Sequence, residues 1–180
     1  MTERLTDART LDGLTNSRTG LILLSSAALS SATSFTVDNV FKPQFSSFLF
    51  VIHTSGNTGA VTMQFRAGGS TTATGYARQE LFAGSTSVTA SRSSSQTSFS
   101  FQNLSVGGVV VDILKPNVAT PTSVIARGLG HGSFDPAQPE ISLQFGGQVD
   151  ATAFDGLIAT SQFANALTGR YYIFGYRGNG

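Results

Sequence analysis

The stretch Val61-Thr-Met-Gln-Phe-Arg66 sets Val61, Met63 and Phe65 against Thr62, Gln64 and Arg66. Successive side chains of a strand point to opposite faces, so this period of two predicts a half-buried strand between a core and water. Just ahead of it, Ser55-Gly-Asn-Thr-Gly59 supplies residues that tolerate positive φ and predicts a turn. Farther out, Phe48-Leu-Phe-Val-Ile-His-Thr54 and Val109-Val-Val-Asp-Ile-Leu114 are nearly continuous apolar runs, the second stopped by Lys115-Pro116-Asn117. Such runs predict strands near the middle of a sheet. Further strands are predicted over 21–24, 34–41, 76–82, 98–104, 123–129, 141–145, 154–159 and 171–176. The Ser/Thr-rich segment 85–98 is β-compatible and reads as a water-exposed strand and loop. With no helical period and strands recurring about every 8 to 14 residues, the chain predicts an all-β antiparallel sandwich.

The 180 residues are 40% hydrophobic and only 12% charged, with a net charge of +1 and no cysteine. Eleven basic residues scattered among ten acidic ones cannot form the Lys/Arg cluster that neutralises phosphates, so nucleic acid is excluded as a partner. The absence of cysteine excludes a disulfide scaffold, thiolate zinc sites and a cysteine nucleophile. No segment reaches the roughly 20 apolar residues of a membrane-spanning helix, so no membrane insertion is expected.

Residues 1–18 carry Glu3, Arg4, Asp7, Arg9, Asp12 and Arg18, while the rest is charge-poor. That mixture is unlike a signal peptide, and synthesis in a cytoplasm is expected. The contrast suggests a short arm, 1–19, before a sandwich domain, 20–180. Leu5, Leu11 and Leu14 are its sizeable apolar side chains, and alone they would barely fold it. The segment reads either as a frayed terminus or as a docking arm ordered by a neighbour.

The search for catalytic residues is thin. His53 sits inside an apolar run and suits a structural role on a sheet. His131-Gly-Ser133-Phe-Asp135 holds the residue types of a serine hydrolase without the strand–elbow–helix pattern that would present the nucleophile. Gly128, Gly130 and Gly132 read as a turn, since neither a P-loop Lys nor a Rossmann helix follows. Asp135, Glu140, Asp150 and Asp155 match no calcium-loop spacing and suit turn capping. The expectation is no catalytic residue, no metal and no cofactor.

The Phe residues, among them Phe41, Phe45, Phe48, Phe50, Phe99 and Phe101, read as core that fills the gap of about 10 Å between packed sheets. Tyr76, Tyr171, Tyr172 and Tyr176 are ambiguous, suiting a core edge, a subunit interface or a sugar-stacking site. Lysine commonly protects sheet edges, yet the chain has only Lys42 and Lys115. A chain poor in charge and rich in Phe and Tyr is therefore expected to form a homo-oligomer.

The segments Gly20-Leu-Ile-Leu-Leu-Ser-Ser26, Ser34-Phe-Thr-Val-Asp-Asn-Val-Phe41, Phe48-Leu-Phe-Val-Ile52, Val61 to Gly69 and Val109 to Pro116 resemble small β-sandwich structural proteins of tailed bacteriophages. The ending Gly169-Arg-Tyr-Tyr-Ile-Phe-Gly-Tyr-Arg177, preceded by Phe154-Asp-Gly-Leu-Ile158, is similar as well. The resemblance implies a jelly-roll-like, commonly trimeric virion protein of the tail, fibre, baseplate or capsid surface. It also implies attachment to other virion proteins by the N-terminus and no shared catalytic set. A carbohydrate-binding module that reads a host surface glycan is the alternative.

Overall fold

The computed structural model describes residues 20–55, 60–84, 87–101, 107–131, 139–162 and 166–177. They form thirteen strands: β1 Gly20–Ala32, β2 Ser34–Val37, β3 Ser47–Thr54, β4 Val61–Ala67, β5 Ser70–Thr71, β6 Tyr76–Gly84, β7 Ser87–Gln96, β8 Phe99–Phe101, β9 Gly107–Leu114, β10 Thr122–His131, β11 Pro139–Gln148, β12 Gly156–Ser161 and β13 Leu167–Arg177. The larger sheet has the order β1-β13-β3-β9-β10-β11-β6-β7. The smaller runs β2-β12-β4-β5, with β8 also paired to β4. Every pairing is antiparallel, and the chain passes repeatedly from one sheet to the other, as an all-β sandwich requires.

The alternation in β4 is realised: Val61, Met63 and Phe65 are fully buried, while Thr62, Gln64 and Arg66 are half-buried on the other side. Both apolar runs lie inside the large sheet, β3 between β13 and β9, and β9 between β3 and β10. Phe48, Phe50 and Ile52 of β3 and Val109, Val111 and Ile113 of β9 face the core. Aromatic rings bridge the layers: Phe35 of β2 stacks on Tyr171 of β13 at 4.5 Å, and Phe65 of β4 stacks on Tyr76 of β6 at 6.2 Å. Offset and edge-on pairs of this kind add to the burial of their area.

Strand boundaries depart from expectation where the backbone finds other partners. The strand predicted over 34–41 stops at Val37, because Asn39 takes a positive φ of 54° and the amides of Val40 and Phe41 both donate to Asp155 O. β1 runs eight residues past the predicted Leu24, through Ser-rich sequence with no alternation, since β13 offers it a full-length neighbour. Two register shifts, at Leu23/Ser25 and Leu29/Ala32, break this edge strand. Bulges therefore supply on β1 the edge protection that lysine usually gives.

Gly175 marks a close approach. A Cβ there would lie 2.6 Å from Cγ of the buried Phe45, whose ring is packed on Phe48. Overfilling a packed core costs about 1–3 kcal/mol. Gly175→Ala is accordingly expected to lower the unfolding free energy by that amount, read as a lower guanidinium midpoint at unchanged slope, and an unchanged midpoint would show that Phe45 swings aside freely.

Candidate functional site: the outward face of the large sheet

In a sandwich of two sheets the inner faces form the core and the outward faces are ordinarily polar. The large sheet departs from this rule. Its register aligns one outward row as Leu23, Phe174, Leu49, Asp112, Ile125 and Phe145 on six adjacent strands. The next row reads Tyr172, Val51, Val110, Arg127, Leu143 and Leu81. Leu23 is 52% exposed, Phe145 42% and Leu81 46%, with Ile141 and Leu21 also exposed on the same face. Tyr172 and Phe174, two residues apart on β13, stack at 6.2 Å.

Two charges lie near the middle of this face, and they are paired: Arg127 Nη2 donates to Asp112 Oδ2 at 2.6 Å. Tyr176 lies beside them; burial first, and then the negative Asp112, push its hydroxyl above its ordinary value. Arg92, Arg170 and His53 occupy flanking positions of the same face.

Polarity is inverted at the β11 and β6 end. Ile141, Leu143 and Phe145 turn outward, whereas Ser142, Gln144 and Gln148 are buried on the inward side. Gln144 Nε2 donates to Glu80 Oε1 at 3.0 Å and to Ser100 O at 2.8 Å. Ser142 Oγ lies 3.4 Å from the same Glu80 oxygen, and Arg78 donates to Ser100 O at 2.9 Å. These bonds tie β6 and β11 beneath β8 and satisfy a carboxylate that would be costly to bury alone. Sequence reasoning did not find this network. The alternation of Ile141, Leu143 and Phe145 with Ser142 and Gln144 announces two faces but carries no sign of which one turns inward.

The four tyrosines divide. Tyr76 is in the core, its hydroxyl accepting from the Phe65 amide at 2.7 Å and donating to Thr72 O at 3.0 Å. Tyr171 is buried too, stacked on Phe35 at 4.5 Å with its hydroxyl 3.3 Å from Ser25 Oγ. Tyr172 and Tyr176 both face outward, on either side of Phe174 along β13. Leu5, Leu11 and Leu14 lie outside the described residues, as do Ser133 and Asp135, and the side chain of His131 is not described. His53 is exposed on the outward face opposite Gly108. Asp155 accepts from the Gly68 amide, and Asp150 is held by the Gln148 amide, so both brace turns. Among the described residues no three His, Cys, Asp or Glu gather into a group that could hold a metal. No family model, curated protein or solved structure matches this chain.

Proposed function

We propose that this chain is a non-enzymatic structural subunit of a tailed-bacteriophage virion. It is homo-oligomeric, with three copies by its resemblance, and is attached to the particle through residues 1–19. The site is the tail, baseplate or fibre, or the capsid surface as a decoration. The observation that carries the self-assembling part is the apolar outward face of the large sheet, built from residues a free sandwich would make polar. The tyrosines support protein contact over sugar stacking, since Tyr76 and Tyr171 are core residues and Tyr172 lies among Phe174, Val51 and other apolar side chains.

Every buried core residue described lies between Leu29 and Ile173. Deleting residues 1–19 is therefore expected to leave the domain folded, with its thermal transition retained, while incorporation into particles falls at least tenfold. Immunogold labelling of purified particles reads the result. Wild-type levels of the truncated chain on particles would refute arm attachment, and particles of the full chain without gold would refute the virion reading.

A further inference from the structure

We propose that the outward face of the eight-stranded sheet is the interface between copies of this chain, laid against the sheet surface of a second copy. The inference rests on the homo-oligomer reading above and specifies its contact surface. Its first support lies in the strands themselves. β3 and β9 are apolar on both sides, with Phe48, Phe50 and Val111 inward and Leu49, Val51 and Val110 outward. Near-continuous apolar runs are the pattern of strands covered on both faces, whereas the small sheet covers only one. β11 goes further, turning Leu143 and Phe145 outward and Ser142 and Gln144 inward. Placing the larger apolar side chains on the water side is unfavourable for a lone subunit and favourable once that side is covered.

The occupant follows from area and charge. Eight strands spaced about 4.8 Å apart, crossed by four outward rows about 7 Å apart, give a face on the order of 700 Å². That is close to the roughly 800 Å² each partner buries in a stable protein interface. The central charges, Asp112 and Arg127, neutralise each other, so the middle of the face offers nothing to a strongly charged partner. The chain carries a net charge of only +1, and the other arginines of the face, Arg92 on β7 and Arg170 on β13, lie toward its opposite ends and leave the apolar middle free of repulsion between copies. Continuation of the sheet edge to edge is the other route to self-association, and the register shifts of β1 at one edge and of the β6–β7 pairing at the other disfavour it.

The test uses the full chain at micromolar concentration, with light scattering on a sizing column and circular dichroism as the check of folding. Wild type is expected to elute as an oligomer. Leu23→Glu combined with Phe145→Glu, both at exposed positions on opposite halves of the face, is expected to raise the dissociation constant at least 100-fold. Val118→Glu, exposed but off the face, is expected to change nothing. Because the chain has no cysteine, Leu23→Cys and Val118→Cys can each be labelled singly with a maleimide. In the oligomer the cysteine at 23 is expected to react at least tenfold more slowly than the one at 118, and this reading stands if the double glutamate variant fails to fold. An oligomer indifferent to the face charges and labelled equally at both sites overturns this interface and leaves the homo-oligomer reading intact. A monomer labelled equally at both sites overturns both. A monomer protected at 23 overturns the proposal by assigning the cover to the chain's own residues.

Discussion

Phe65→Ala is expected to lower the unfolding free energy by about 3–5 kcal/mol, the cost of emptying a large aromatic from a packed core. Phe65 is fully buried at the centre of the small sheet, stacked on Phe154 at 5.0 Å and ringed by Tyr76 at 6.2 Å and Phe41 at 6.1 Å. Three of its neighbours are themselves rings held by other contacts, so the site collapses poorly and the cavity persists. Natural domains retain about 5–15 kcal/mol in total, and this one substitution removes a large part of that. For a chain of this size the thermal midpoint should fall by roughly 6–20 °C. Equilibrium unfolding in guanidinium, with the slope unchanged, measures the effect. A loss below about 1 kcal/mol would mean that the rings close over the gap. Val118→Ala, on an exposed turn, is the control and should stay within about 0.5 kcal/mol of wild type.

The second large effect appears in alkaline solution and belongs to Tyr76. β4 has β8 paired along Val61 to Met63 and β5 along Arg66 and Ala67, which leaves an opening in the ladder at Phe65. Tyr76 crosses from the large sheet to close it, its hydroxyl accepting from the Phe65 amide while Thr72 donates its own amide to Phe65 O. Burial pushes the Tyr76 hydroxyl up from 10.0 to about 12; the Phe65 amide opposes the shift and the negative Asp150 adds to it. A pKa raised on folding means that the folded chain holds its proton where the unfolded chain has released it. The stabilisation is thus complete below pH 10 and is lost as pH climbs from 10 toward 12, by about 3 kcal/mol in all. Tyr76→Phe removes this dependence and, near neutral pH, costs about 1–3 kcal/mol because the buried Phe65 amide loses its acceptor. Guanidinium unfolding of both proteins at pH 8, 10 and 11 should therefore show the gap between them narrowing with pH. A constant gap would show that Tyr76 ionises equally well folded and unfolded.

Both effects follow from a core whose strands were legible in the sequence and whose layering was not. Alternation in Val61 to Arg66 and the apolar runs at Phe48 and Val109 are local signals, readable because strand side chains repeat every two residues. They fix strand identity and point to a sandwich. Period two defines a pair of faces without saying which is inside. For β4 the answer is the ordinary one. For β11 it is reversed, and only the position of β8, whose Ser100 carbonyl receives both Arg78 and Gln144, makes the polar side the inner one.

The tyrosines carry the same lesson. Tyr76 and Tyr171 look in sequence like Tyr172 and Tyr176, and contacts from distant segments separate them: Phe65 and Thr72 for the first, Phe35 and Ser25 for the second. The sequence by itself determined that this chain is built of strands, where most of them lie, and that it is poor in charge. Only the tertiary structure decided which side of each strand meets the core, because that depends on which sheet lies across from it, a long-range relation that no local pattern encodes.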